Sequence, residues 1–153
     1  MNSDSWMSIA EAELGTKEVD GDGNNPRVIE YHSTTSGHFK QDSVPWCSSF
    51  VNWVMTQCQI KGTGSAAARS WLKWGIAVEE PKRGCIVILK RGTSKTSGHV
   101  GFVESVGLLT IKVLGGNQSD SVCYKTFPRL RVLGYRLPID KTPAISTNKL
   151  PPE

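Results

Sequence analysis

The chain has 153 residues, of which 38% are hydrophobic and 21% are charged, and its net charge is +4. This length and composition predict one soluble globular domain, since no run approaches the roughly 18–20 apolar residues that span a membrane. The basic residues are scattered rather than clustered, which argues against a nucleic-acid partner.

Helices are predicted in the first half of the chain. Apolar residues at helical spacing indicate a helix over residues 4–14, and Pro26 marks the start of a short one over residues 26–33. The strongest helical pattern covers residues 45–58, and a further helix is expected around residues 65–74. The first 15 residues lack a basic stretch followed by an apolar one, so we expect no cleavable secretion signal.

The pattern then changes from helices to strands. Five β-rich runs, bounded by Gly, Ser, Asp or Pro, cover residues 84–91, 98–107, 108–116, 121–127 and 131–138. Helices followed by strands predict the α+β class, with N-terminal helices packed on a C-terminal antiparallel sheet of about five strands. We assign residues 1–140 to one domain and expect the proline-containing tail, residues 141–153, to be disordered.

Neither the cysteines nor the acidic residues predict a metal site. The turn DGDGNNP (20–26) begins like a calcium loop, but it lacks the glycine and glutamate that an EF-hand requires further on. The four cysteines have spacings that match no zinc motif, and at least two are expected in the core: Cys47, Cys58, Cys85 and Cys123. We therefore expect no metal, no other cofactor and no disulfide framework.

Cys47 fits two interpretations. It begins a stripe of apolar residues at helical spacing that continues through Phe50, Val51, Val54, Met55 and Cys58, which is typical of a core residue. It also lies in the first turn of the predicted helix, directly after Pro45 and Trp46. Unpaired backbone N–H groups and the helix dipole there stabilise a thiolate, lower the cysteine pKa and can bind an oxyanion. That environment suits a nucleophile.

A thiol nucleophile needs a base, and the chain contains three histidines. His32 ends a predicted helix and His38 lies in a polar loop, so a surface or capping role is expected for both. His99 begins a strand between Gly98 and Gly101, whose small size leaves room for a substrate beside the imidazole. The alternative for His99 is a surface position at the end of a strand.

Asn117 is the candidate for the group that orients the imidazole. It follows His99 by 18 residues, and a hairpin of the two strands would bring its amide oxygen to the level of His99. Regular strand alternation turns Gln118 to the other face. The alternative is that Asn117 is only a turn residue after Gly115 and Gly116.

Several short motifs occur in a fixed order between residues 6 and 138: ELG (13–15), NNP (24–26), PWC (45–47), GTGS (62–65), GHVG (98–101), GGNQ (115–118) and GYR (134–136). This ordered set resembles the papain-like peptidoglycan hydrolases of the CHAP and NlpC-type families, and above all a small CHAP-like group of bacteria and phages. The resemblance implies a papain-like fold. It also implies hydrolysis of an amide bond in peptidoglycan peptides, by an amidase or an endopeptidase.

The resemblance also assigns roles to individual residues. It implies Cys47 as the nucleophile, His99 as base and then acid, and Asn117 as the orienting residue. Substrate contacts are expected at four positions, where Asp42 either binds the substrate or caps the helix: Asp42, Trp46, Ser48 and Gly98.

The same resemblance implies peptidoglycan as the partner of a monomeric enzyme. We expect synthesis in the cytoplasm and action in the periplasm or cell wall, after lysis or after delivery by a secretion machine. A phage lysin fits this expectation, as does an antibacterial effector that is countered by an immunity protein. The alternative from another class is a non-catalytic wall-binding or structural module that keeps the fold.

Overall fold

The computed structural model describes residues 3–20, 23–37, 39–41 and 45–139. Three α-helices come first: α1 (Ser3–Ala12), α2 (Pro26–His32) and α3 (Cys47–Gln57). Two short 3-10 helices follow, η1 (Ala68–Lys73) and, later in the chain, η2 (Arg129–Arg131). The helix predicted around residues 65–74 is therefore the 3-10 helix η1. The predicted tail, residues 141–153, lies outside the described residues.

The described strands form one antiparallel sheet. They are β1 (Ile76–Val78), β2 (Ile86–Lys90), β3 (Gly98–Val106), β4 (Thr110–Gln118), β5 (Ser121–Pro128) and β6 (Val132–Leu137). Their order in the sheet is β1-β6-β2-β3-β4-β5. The predicted α+β class is confirmed, as are all five predicted strands. The additional strand is β1, whose three residues are too few to show an alternating apolar pattern.

The stripe on α3 packs against one face of the sheet, as its periodicity predicts. Its apolar side chains are fully buried in a cluster that also contains Val100 and Phe102 of β3 and Leu114 of β4. A second cluster lies on the other face of the sheet and is built from strand residues and from Cys85, just before β2. Among the described residues, no helix contributes to this second cluster.

Gly116 allows α3 and β4 to approach each other closely. A Cβ at this position would lie 2.8 Å from Cβ of Phe50 and 2.8 Å from ring atoms of Trp46. Any side chain on Gly116 would therefore push the first turn of α3 away from the sheet. The glycine thus fixes the position of Cys47, the first residue of the helix.

None of the helices described is long and apolar enough to cross a membrane.

Candidate active site

Cys47 is held where the first turn of α3 meets β3. Trp46 provides no side-chain cap for this helix, and the first intrahelical bond runs from the Phe50 N–H to the Trp46 carbonyl, at 2.9 Å. The earlier N–H groups are therefore free to turn toward the thiol. The backbone N–H groups of Val100, Ser48 and Cys47 itself act to lower the pKa of the Cys47 thiol. The side chain is 4% exposed.

Burial dominates the acidity of this thiol. Desolvation raises the pKa of Cys47 above its usual value, because an ionised sulfur loses hydration in the core. The Val100 N–H, the charge of Arg91 and the N–H groups of Ser48 and Cys47 oppose that rise without reversing it. The lowered pKa predicted from the helix terminus is therefore wrong in direction, because burial outweighs the helix terminus.

His99 is held by Gln118. The Nε2 atom of His99 lies 2.8 Å from Oε1 of Gln118, and both residues are buried. The Gln118 amide nitrogen donates to two carbonyls, that of Cys123 at 2.6 Å and that of Val113 at 3.3 Å. Only the NH₂ end of an amide can donate to a carbonyl, so these two bonds fix Oε1 toward the imidazole.

This orientation determines the tautomer of His99. Because Oε1 of Gln118 can only accept, Nε2 of His99 must carry the proton and donate it. The other ring nitrogen, Nδ1, is then unprotonated and has a lone pair available. A neutral imidazole with a free Nδ1 is able to accept a proton from a nucleophile.

Gln118 takes the place predicted for Asn117 because β4 carries a β-bulge. Gly115 pairs with Cys123 and Gln118 pairs with Ser121, so two β4 residues, Gly116 and Asn117, lie opposite one β5 residue. The extra residue breaks the two-residue alternation and puts Gln118 on the face that Asn117 would otherwise occupy. Asn117 itself has a left-handed φ of 58°. The predicted contact between Asn117 and His99 is therefore wrong.

Burial and nearby cations keep the His99 imidazole neutral. Desolvation is the largest influence and, with the charges of Arg91, Arg131 and Lys125, lowers the pKa of His99 to about 4, although the Gln118 hydrogen bond opposes the shift. The Phe127 ring packs beside the imidazole, with its centroid 5.4 Å from that of His99. Arg131 and Lys125 lie over the same Phe127 ring, at 5.1 and 5.7 Å.

The Cys47 thiol lies near the start of β3, the strand that carries His99. Val100, whose backbone N–H acts to lower the pKa of the Cys47 thiol, directly follows His99 in the strand. Among the hydrogen bonds of the described residues, none joins the Cys47 thiol to the His99 ring directly. The raised pKa of Cys47 and the lowered pKa of His99 both favour the neutral forms of the two side chains over a thiolate–imidazolium ion pair.

The residues predicted to contact the substrate differ in their positions. Trp46 is fully buried and donates its indole N–H to Glu18 at 2.8 Å. Ser48 is also buried, between the Ser65 carbonyl at 2.7 Å and the Trp71 indole N–H at 2.8 Å. The structure places both side chains in the core instead of the cleft. Of these two residues, only Ser48 acts on the thiol, through its backbone N–H.

Gly98 and Asp42 complete the predicted set of substrate contacts. Gly98 is half-buried at the start of β3, where an added Cβ would lie 2.8 Å from the Leu89 carbonyl oxygen. Its small size thus permits close pairing of β2 and β3 directly beside His99. Asp42 lies outside the described residues.

The other histidines do not join this site. His32 is fully buried, with its Nδ1 atom 2.8 Å from Oγ of Ser49. Of the two expected roles, surface or capping, the surface role is therefore wrong. The bond to Ser49 ties α2 to α3, two residues after Cys47. His38 lies outside the described residues.

Neither a disulfide nor a metal cluster is found in the part of the chain that the structure describes. All four cysteines are unpaired, and Cys58 and Cys85 are buried, as expected of core cysteines. No group of three or more His, Cys, Asp or Glu side chains within the described ranges is arranged to hold a metal ion.

The arrangement of elements is that of the papain-like class: a cysteine at the N-terminus of a helix, packed against an antiparallel sheet whose third strand carries a histidine. The family model of the CHAP domain matches residues 39–117, just over half of the chain. The chain therefore belongs to the CHAP domain family. Its matched segment contains Cys47, His99 and the β4 bulge, and it ends one residue before Gln118.

Solved structures share the fold at low sequence identity. An NlpC/P60 family protein from Bacillus cereus ATCC 10987 is 15% identical with a TM-score of 0.56, over 92% of this chain and 41% of its own. The endolysin LysIME-EF1 is 13% identical with a TM-score of 0.59, over 94% and 67%. The NlpC/p60 domain of the peptidoglycan hydrolase SagA is 18% identical with a TM-score of 0.53, over 90% and 99%.

This chain spans about two fifths of the length of the Bacillus cereus protein and of a Staphylococcus aureus lipoprotein-like member of the same family. No curated protein matches its sequence. The likeness to the solved structures confirms the predicted papain-like fold of the CHAP and NlpC type.

Proposed function

We propose that the chain is a peptidoglycan hydrolase that cleaves an amide bond with Cys47 as the nucleophile. The observation that carries the proposal is the position of the Cys47 thiol between the N–H groups of the α3 terminus and the residue that follows His99. A nucleophile, a base with a fixed tautomer and backbone donors for an oxyanion are the parts that acyl transfer needs.

The first half of the reaction forms a thioester. Nδ1 of His99 takes the proton of the thiol as the sulfur attacks the carbonyl carbon, so that charge develops only during the attack. The N–H groups of Cys47 and Ser48 donate to the oxyanion of the tetrahedral intermediate. The imidazolium then gives its proton to the leaving nitrogen as the C–N bond breaks, and the amine product departs.

The second half releases the acyl group. Nδ1 takes a proton from water while the water oxygen attacks the thioester carbon. The C–S bond then breaks, and the imidazolium returns its proton to the leaving sulfur. The products are a carboxylic acid and the regenerated thiol. Throughout both halves, Gln118 keeps the Nε2–H of His99 hydrogen-bonded and thereby keeps Nδ1 as the reacting nitrogen.

Two observations support peptidoglycan as the substrate. Two of the proteins that share the fold are called an endolysin and a peptidoglycan hydrolase. In addition, Arg91, Lys125 and Arg131 place positive charge around His99, and stem peptides of peptidoglycan carry free carboxylates. Cleavage between the lactyl group and L-Ala, or within the peptides, are the two candidate reactions. We place the action of the protein at the cell wall, as a lysin or as a delivered effector with its own immunity protein.

Digestion of purified sacculi tests this function. We expect the wild-type protein to release soluble fragments, Cys47→Ala to release none, and Cys58→Ala to retain activity. Cys58 is a matched control because it is a buried cysteine at the other end of the same helix. Mass spectrometry of the new ends identifies the bond, since an amidase frees the lactyl carboxylate and an endopeptidase frees an amine within the peptides.

The same experiment separates the hydrolase from the non-catalytic alternative. A folded wild-type protein that binds sacculi but releases no fragments would make it a wall-binding module. Equal release by the wild type and Cys47→Ala would instead remove Cys47 from the mechanism.

A further inference from the structure

A groove of about 620 Å³ opens on the surface between η1 and the loop that joins β2 to β3. Three cations line it, Arg69, Lys73 and Lys95, together with the ring of Trp74. Three hydroxyl side chains complete the lining: Thr63, Ser70 and Thr96. The groove therefore combines positive charge, an aromatic surface and hydrogen-bonding hydroxyl groups.

The groove adjoins the active site through Arg69. Cγ of Arg69 lies 3.5 Å from the position that a Cβ on Gly98 would occupy, and Gly98 directly precedes His99. The Arg69 guanidinium donates to the carbonyls of Ser97 and Ser94, both at 2.7 Å. One wall of the groove is therefore fastened to the loop that leads into β3.

The aromatic surface is held rigidly. Trp74 is half-buried, its indole N–H donates to the Lys61 carbonyl at 2.9 Å, and its ring packs edge-on against the buried Trp71 at 4.8 Å. A ring that is fixed before binding loses little conformational entropy when a ligand stacks on it. Such a surface suits the apolar face of a sugar ring.

The positive charge of the groove is not neutralised from within the described part of the chain. The salt bridges among the described residues involve Arg27 and Arg83 and none of the three groove cations. The guanidinium of Arg69 is engaged with neutral carbonyls, which leaves its charge in place. An anionic ligand would therefore gain attraction without having to displace a carboxylate.

We propose that this groove binds peptidoglycan beyond the bond that is cut, with Lys73 and Lys95 contacting free carboxylates of a stem peptide and Trp74 stacking on a sugar ring. The groove would thus extend the cleft at His99 and favour uncut, polymeric substrate over short fragments. The identity of the ligand rests on the proposed function.

Binding to sacculi tests the groove independently of cleavage. In a Cys47→Ala background, we expect Lys73→Gln with Lys95→Gln to weaken binding to purified sacculi about five-fold, as expected for the loss of two surface charge contacts. The matched control is Lys17→Gln with Lys82→Gln, which removes the same charge from two exposed lysines outside the groove. We expect this control to bind within about two-fold of its parent, because scattered surface charges add little.

A second binding measurement uses sacculi whose carboxylates have been converted to amides. We expect the groove variant and its control to bind these sacculi equally. The proposal would be overturned if the groove variant and its control bound untreated sacculi equally. It would also be overturned if they still bound differently after the carboxylates had been converted to amides. The two proposals can fail separately. If the wild type releases fragments but the groove variant and its control bind equally, the groove is not a binding site, whereas the proposed hydrolase activity stands. If the groove variant binds more weakly than its control but the wild type releases no fragments, the groove is a binding site and the proposed hydrolase activity is wrong.

Discussion

Gln118 Oε1 lies 2.8 Å from His99 Nε2, and the geometry of the amide decides which imidazole nitrogen carries the proton. The NH₂ group of Gln118 is committed to the carbonyls of Val113 and Cys123, so the amide cannot turn over without losing both bonds. Three backbone and side-chain contacts on one glutamine thus keep Nδ1 of His99 unprotonated. In the proposed mechanism, Gln118 acts through His99 and is a positioning residue.

The role of Gln118 predicts unequal effects at two neighbouring positions. Gln118→Ala should lower kcat at least about ten-fold, part of the roughly 10²–10⁴ that a positioned acid–base group contributes. Asn117→Gly keeps the left-handed backbone that the bulge requires and should change kcat less than about two-fold. Turnover of sacculi or of a soluble fragment measures both.

A larger loss of kcat for Asn117→Gly than for Gln118→Ala would restore the assignment made from the sequence. Gln118→Glu provides a further check on this assignment. Its carboxylate favours a protonated imidazole and should move the acid limb of the pH profile to higher pH, which a purely structural role would not do.

The cations around Phe127 predict a change in the pH dependence of activity. They lower the pKa of His99, so removing one raises it, and the neutral imidazole is the form that accepts the thiol proton. Lys125→Gln should therefore move the acid limb of the kcat profile to higher pH. Lys17→Gln, at a lysine that does not influence His99, is the control. An acid limb that shifts equally in both variants would disprove the local effect.

Burial of His99 also predicts a loss of stability in acid. The unfolded chain binds a proton on this histidine below about pH 6.5, whereas the folded protein binds it only below about pH 4. The free energy of unfolding should therefore fall as the pH drops across this window, with about 3 kcal/mol of the fall due to His99.

Denaturant unfolding of the wild type and of His99→Gln at a series of pH values isolates this contribution. Between pH 7 and pH 4, the free energy of unfolding should fall by about 3 kcal/mol more in the wild type than in His99→Gln. A gap that is constant with pH would mean that His99 titrates alike in both states.

Gly116 offers a test of the packing that places Cys47. Gly116→Ala puts a methyl group 2.8 Å from Phe50 and from the Trp46 ring, and should lower the free energy of unfolding by about 1–3 kcal/mol. Gly107→Ala is the control, since its new methyl group meets nothing closer than 3.3 Å. Thermal unfolding measures both, and equal Tm values would contradict the tight contact between α3 and β4.

Much of the fold could be predicted from the sequence because it follows from local periodicity. Apolar residues recur at helical spacing along α3, and β-rich runs mark the five longer strands. The structure has the helix and the strands at these predicted positions. β1 is too short to repeat. Cys47 was identified from its position in the first turn of a helix, but the burial that raises its pKa depends on strands fifty residues away.

The identity of the imidazole partner could not be read from spacing, because spacing assumes an unbroken strand. Because of the bulge, Gln118 lies on the face of β4 that Asn117 would occupy in a regular strand. Gln118 therefore contacts His99 in place of Asn117. The sequence does carry a sign of it: two glycines followed by an asparagine within a strand are typical of a bulge with a left-handed residue. Trp46 and Ser48 were misplaced for a different reason, since their burial depends on Glu18, Ser65 and Trp71.

The ring nitrogens of His99 provide the most direct test of the central claim, that Gln118 makes Nδ1 the base. Nitrogen chemical shifts of ¹⁵N-labelled protein, with His99→Gln used to assign the signals, report the protonation of each ring nitrogen near neutral pH. We expect Nε2 to be protonated and Nδ1 to be unprotonated in the wild type, and this preference to weaken in Gln118→Ala. A protonated Nδ1 in the wild-type protein would contradict the account.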